Sequence, residues 1–173
     1  MKVISDFYQL FTDCVMHFPC SAVRLLYAKL VFKNIGSNCY LGRHIHIVCP
    51  HKISLSNNVV VNRFSTLDGR EGLEISDNVD IGEFSSIWTL QHIPDDPYHS
   101  TKGGKTIIKD HVWIAPHSIL LPGIIIKRGC VIATSSVVTH STDEKQILAG
   151  VPAKVIRQRK NQLMYQLEFN SFF

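Results

Sequence analysis

The stretch IKDHVWIAPHSILLPGIIIKRGCVIATSSVV, residues 108–138, carries a branched aliphatic at every sixth position. These are Ile108, Ile114, Leu120, Ile126, Ile132 and Val138. A period of six matches neither the 3.6 of an amphipathic helix nor the plain alternation of a long strand. Four residues after the first five aliphatics come Val112, Ser118, Ile124, Cys130 and Ser136, all small or medium in size. A large residue followed by a smaller one, repeated every six, is the hexapeptide signature of a parallel β-helix. Each hexad then supplies one short strand and one corner. The aliphatic fills a triangular interior and the smaller residue turns the corner.

Working outward, the same frame begins at Ile35, Leu41 and Ile47. A slip of two residues moves it to Leu55, Val61 and Leu67, and a second slip to Ile75, Ile81 and Ile87. Gly36, Gly42 and Gly82 follow aliphatics, where they suit a strained corner backbone. Asn57-Asn58 and Asp77-Asn78 fall at equivalent corner positions and tolerate the same geometry. Between Ile87 and Ile108 the pattern is lost across TLQHIPDDPYHSTKGG, residues 89–104. Prolines, paired glycines and polar residues predict a loop thrown out of the solenoid. Loops on rigid scaffolds are where chemistry concentrates.

Ahead of the hexads, Phe7, Leu10, Phe11, Cys14, Val15 and Phe18 share one face at helical spacing. Pro19 interrupts, Ser21 is placed to cap, and Val23, Leu26, Tyr27 and Leu30 continue a second helix. These helices read as a lid over the open first coil; the alternative is a face that docks on a membrane-bound assembly. The predicted organisation is all-β in one domain. A helical cap covers 1–34, a β-helix 35–140 with an extruded loop 89–107, and an extension with a basic tail 141–173.

Composition narrows the function classes. The chain has 173 residues, 45% of them hydrophobic, enough for one sizeable core. Its net charge of +4 suits a small anionic ligand and is too weak and dispersed to argue for nucleic acid. Cys14, Cys20, Cys39, Cys49 and Cys130 show no metal or disulfide spacing. Cys39 and Cys130 occupy small-residue positions, so they read as core filler, and a reducing cytoplasm fits. Asp6, Asp13, His17, Arg24 and Lys29 interrupt the N-terminal apolar stretches, so no run approaches a membrane span of about 20 residues. The amphipathic helices leave peripheral membrane contact open.

Three segments carry a resemblance: Val112-Trp113-Ile114-Ala115 through Leu121-Pro122-Gly123, Ser136-Val137-Val138-Thr139, and Ala149-Gly150-Val151-Pro152-Ala153-Lys154. Over about residues 35–160 the chain resembles the hexapeptide-repeat acyltransferases. It is similar to the galactoside, maltose and streptogramin acetyltransferases, and more so to sugar O-acetyltransferases of capsule and exopolysaccharide clusters. The resemblance implies a left-handed β-helix, acetyl-CoA as co-substrate without a metal, and a homotrimer.

Acetyl transfer from a thioester to a hydroxyl needs a base for the hydroxyl proton and donors for the oxyanion. An imidazole suits the first task. His92, in the extruded loop, stands where similar enzymes carry the general base, and Asp95 and Asp96 are candidates to orient it. Asn62 and Asp68 resemble acceptor-side residues; bonding the corner backbone explains them equally well. Trp113, Ala115, Thr134, Thr139 and Arg157 match positions that touch acetyl-CoA in the family. Lys154 and Arg157 begin a basic cluster where similar enzymes meet the CoA phosphates. Pro116, Thr134-Ser135 and His140 depart from the family pattern. His111 and His117 occupy the same position of successive hexads, so they fall on adjacent faces of the prism, which argues against a zinc site.

The expectation is an O-acetyltransferase acting on a sugar or glycan precursor. The alternatives are an amino-sugar or antibiotic acetyltransferase of the same fold, and a non-catalytic β-helix used for assembly.

Overall fold

The computed structural model describes residues 2–168, with side chains from Asp6 onward. The apolar residues at the C-terminal end, Phe169, Phe172 and Phe173, lie outside them. The expected parallel β-helix is present.

Three parallel sheets form the sides of the prism. The first face stacks Asn34–Ile35, Ile53–Leu55, Leu73–Ile75, Thr106–Ile108 and Ile125–Ile126. The second stacks Tyr40–Leu41, Val60–Val61, Asp80–Ile81, Trp113–Ile114, Val131–Ile132 and Gln146–Ala149. The third stacks His46–Val48, Thr66–Asp68, Ser86–Ile87, Ile119–Leu120 and Val137–Val138. Every hexad aliphatic named above from Leu41 to Val138 is buried, and together they make one continuous core. Ile35, at the open first coil, is partly buried against it.

Register explains the frame slips. Asn34 pairs with Ser54 and Ser54 with Glu74, so the early coils are two residues longer than three hexads. Both additions fall at the corner from third face to first. One is the 3₁₀ turn Pro50–Lys52, the other the turn closed by the Gly72 N–H on the Gly69 carbonyl at 2.9 Å. The long loop leaves at this same corner one coil later.

Corner chemistry differs from expectation at the glycines. Left-handed residues include Asn38, Asn58 and Asn78 on one edge and His44, Phe64, Phe84 and His117 on another. Gly36, Gly42 and Gly82 are instead demanded by close approach. A Cβ on Gly82 would lie 2.6 Å from the Pro116 nitrogen, and one on Gly36 would lie 2.6 Å from the Ser56 carbonyl. The aromatic edge is stacked ring on ring: His44 on Phe64 at 4.8 Å, Phe64 on Phe84 at 4.9 Å, Phe84 on His117 at 4.8 Å.

Two helices, α1 (Lys2–His17) and α2 (Ser21–Val31), close the first coil. Ser21 is already helical; Cys20 is the N-cap residue and makes no side-chain cap bond. Met16, Ala28 and the Arg24 side chain seal the interior, Arg24 donating Nε to the Leu41 carbonyl at 2.9 Å. The lid therefore seals with residues outside the predicted stripe. Phe7, Leu10, Phe11 and Phe18, with Leu26 and Leu30 of α2, are exposed. Of the stripe, Val15 packs against the core.

The extension beyond residue 140 is not a separate tail. Gln146–Ala149 continues the second face, and Lys154–Gln158 closes that sheet antiparallel. The chain then runs back along the asparagine edge. Leu163 packs over Gly129, the Tyr165 hydroxyl donates to the His111 carbonyl at 3.3 Å, and Leu167 meets Asn78 and Asn38.

Candidate active site

The predicted loop is a β-hairpin. Leu90–His92 pairs antiparallel with Thr101–Gly103, matching Gln91 to Lys102 and His92 to Thr101. Its tip is tied by the Ile93 N–H on the Ser100 carbonyl at 2.9 Å. Asp96 accepts the amides of Tyr98 and Ser100, each at 3.0 Å, and hydrogen bonding from Ser100 helps hold its carboxyl below the usual carboxylate range. The pairing was not legible because its strands are three residues long and polar. Gly103 is demanded by the pairing: a Cβ there would strike the Thr89 carbonyl at 2.5 Å.

His92 is exposed on this hairpin. Its Nδ1 lies 2.9 Å from the His99 carbonyl, and the two imidazoles stack with centroids 3.7 Å apart and planes 9° from parallel. A carbonyl oxygen can only accept, so in the neutral ring Nδ1 carries the proton and Nε2 keeps its lone pair. Asp95 and Asp96, named above as candidates to orient the ring, do not take that bond. Asp96 ties the tip instead.

Asp68 takes the backbone-bonding alternative. It is fully buried, with both oxygens engaged by Arg70 and by the Thr89 amide. An acceptor-side role needs an open oxygen, and this carboxylate has been spent on the backbone and on Arg70. Burial alone would raise its pKa, but the bonds from Arg70 and Thr89 outweigh burial and hold the carboxyl below its ordinary value. Its stabilisation is therefore complete above the unfolded pKa of about 3.9 and is lost as pH falls through the depressed folded value. Thermal melts of Asp68→Asn are expected to lose less stability than the parent between those values. An equal acid loss in both would refute the linkage.

Asn62 donates Nδ2 to Asp80 Oδ1 at 3.0 Å and to the Ile81 carbonyl at 2.9 Å. Burial raises the Asp80 pKa, opposed by the Asn62 bond, so stability from this carboxyl is lost as pH rises through its folded value. Sequence reasoning missed Asp80; its register beside Trp113 on the second face was the available signal.

The residues expected on the donor side fall on the second face and on the two corners that follow it. Trp113 pairs with Val131, Val131 with Ile147 and Ile147 with Arg157. Trp113 and Arg157 thus share a row about 14 Å long at the usual strand spacing. Trp113 is 43% exposed, and Lys154 and Arg157 are exposed beyond it. Ala115 and Thr134 lie at the next corner, Ala115 buried and Thr134 exposed. Thr139 shares a groove of about 400 Å³ with Gln91, Lys102, Gly104 and Gly123, which brings it to the root of the His92 hairpin. His111 and His117 stand on different edges, and among the described residues no three His, Cys, Asp or Glu side chains converge on a metal position.

The bacterial transferase hexapeptide (six repeats) pattern matches residues 105–140. The putative lipopolysaccharide biosynthesis O-acetyl transferase WbbJ of Escherichia coli K12 is 33% identical over 83% of this chain and 91% of its own length. The chain belongs to the hexapeptide-repeat acyltransferases. Another member, the dTDP-4-amino-4,6-dideoxy-D-glucose acyltransferase of Escherichia coli, is 26% identical over 84% of this chain and 90% of that protein. The solved hexapeptide-repeat acetyltransferase VCA0836 of Vibrio cholerae, bound to acetyl-CoA, superposes with a TM-score of 0.80 at 23% identity, covering 87% of this chain and 84% of that one. The fold of this hexapeptide-repeat acyltransferase is thus shared across members of low sequence identity.

Proposed function

We propose that this acyltransferase moves an acetyl group from acetyl-CoA to a hydroxyl of a sugar or glycan precursor, with His92 as general base. The observation that carries the reading is the Nδ1 bond of His92 to the His99 carbonyl, which in the neutral ring puts the lone pair on Nε2 of an exposed hairpin side chain. In the reaction, Nε2 takes the acceptor hydroxyl proton as the oxygen attacks the thioester carbonyl. The tetrahedral oxyanion then collapses, the carbon–sulfur bond breaks, and the imidazolium returns the proton to the leaving thiolate. The described residues offer the row from Trp113 to Arg157 for the donor, with Lys154 and Arg157 for its phosphates. Ala115, Thr134 and Thr139 are assigned to the donor as well, and Asn62 is the remaining acceptor candidate.

The WbbJ relationship supports a glycan acceptor used in polysaccharide biosynthesis. The similarity to an amino-sugar acyltransferase supports a second reading, N-acylation of an amino sugar. A thiol-release assay with acetyl-CoA over matched hydroxy and amino sugars separates them: turnover on the amino sugars alone overturns the first. All five cysteines are free, consistent with a cytoplasmic protein.

A homotrimer with donor sites between neighbouring solenoids is part of this reading. Light scattering at micromolar concentration should give the mass of three chains; an active monomer would refute the shared site. Trp113→Ala is expected to raise the KM for acetyl-CoA roughly tenfold, about 1.4 kcal/mol, with little change in Tm. A fall in Tm with an unchanged KM would make Trp113 a packing residue.

A further inference from the structure

We propose that Asp68 and Arg70 form a positioning clamp that fixes the His92 hairpin to the second coil and so sets where the base stands. The kinetic consequence rests on the His92 reading; the clamp itself does not.

Asp68 ends the strand Thr66–Asp68 on the third face, directly below the corner from which the hairpin springs. Its Oδ1 accepts the Arg70 backbone N–H at 3.0 Å and Arg70 Nε at 2.9 Å. Its Oδ2 accepts Arg70 Nη2 at 3.0 Å and the Thr89 N–H at 2.9 Å. Arg70 carries the contact further: Nη2 also reaches the Leu90 carbonyl at 3.3 Å, and the guanidinium carbon lies 6.0 Å from the Trp88 ring centroid. The neighbouring Glu71 N–H donates to Thr89 Oγ1 at 3.0 Å. Trp88, Thr89 and Leu90 are therefore each touched by one short turn of the coil before. His92 follows two residues after Leu90.

The chemistry suits positioning better than simple attachment. A buried carboxylate is costly unless its lone pairs are filled, and here four N–H groups fill them. A bidentate fork fixes direction as well as distance. The two oxygens thus tie the Arg70 plane and the Thr89 amide into one rigid unit at the hairpin root. A displacement of about 1 Å at a reacting group costs on the order of 10²-fold in rate, so an anchored root matters to a base carried on a projecting hairpin.

The test pairs hydrogen exchange with kinetics in the full chain. Asp68→Asn keeps the shape and removes the charge. Arg70→Lys, at a side chain 37% exposed, keeps the charge and removes the fork, which serves if the buried variant folds poorly. Amides of residues 90–103 are expected to exchange faster in either variant, with the strands of the first and second faces unchanged. Turnover should fall by roughly 10–100-fold, with the KM for acetyl-CoA within about twofold. In a His92→Ala background the same substitution should cause no further loss, because the clamp acts through His92. Unchanged exchange in the hairpin overturns the clamp. An equal loss of kcat with and without His92 overturns its positioning role. If His92→Ala is itself near neutral, the base assignment fails, and the exchange result still decides whether the clamp exists.

Discussion

His92→Ala is expected to lower kcat by about 10²–10⁴-fold, the usual contribution of a general base, while the acetyl-CoA affinity and the oligomeric mass stay those of the parent. Activity within tenfold of the parent would refute the assignment. Geometry supplies two informative controls. His99→Ala removes a ring stacked on His92 but keeps the backbone carbonyl that accepts its Nδ1–H, so it should be near neutral. His111→Ala should also leave turnover alone, because that ring sits on a different edge, its Nε2 3.2 Å from the Tyr165 carbonyl. A large effect from His99→Ala would mean that ring stacking, rather than the carbonyl bond, orients the base.

Ile81→Ala is expected to cost about 2–5 kcal/mol, the range for deleting a buried aliphatic to alanine. Ile81 is fully buried in a middle coil, with Val61 below it and Ile114 above it in the second face. The prism closes around the vacated space with backbone hydrogen bonds on all three sides, so collapse into the cavity is hindered. Urea denaturation checks the figure; a loss below about 1 kcal/mol would mean that the interior is not packed rung on rung.

The period of six made the core legible, because each interior position has a strict size requirement and meets only its neighbours in the stack. The sequence also exposed the frame slips at Leu55 and Ile75. Their cause, two longer corners on one edge, needed the register. The helices were legible as helices, yet the apolar stripe of α1 was expected inward. Helical spacing tells which residues share a face and not which face a neighbour covers. Here Met16, Ala28 and Arg24 fit the open coil, and Phe7 and Leu10 do not. At the candidate site, His92 was legible by its place in the motif. What holds it was not: the His99 carbonyl is a backbone atom with no residue signature, and the Asp68 partners are twenty-one residues away or on the same turn. An aspartate at a corner looks the same in sequence whether it faces a ligand or a buried arginine.

A stack of coils that touch only their neighbours should come apart from its ends, one rung at a time, like a zipper. The returning segment that crosses from Gly129 to Asn38 changes that. Asn38 Nδ2 donates to the Leu167 carbonyl across 129 residues of chain, and Leu167 N–H donates to Asn78 across 89. The first and last turns are thereby stitched to each other, so fraying at one end must also release the other. Such a stitch raises the mean sequence separation of contacts, which slows folding, and it turns a row of semi-independent rungs into a single cooperative unit that melts together.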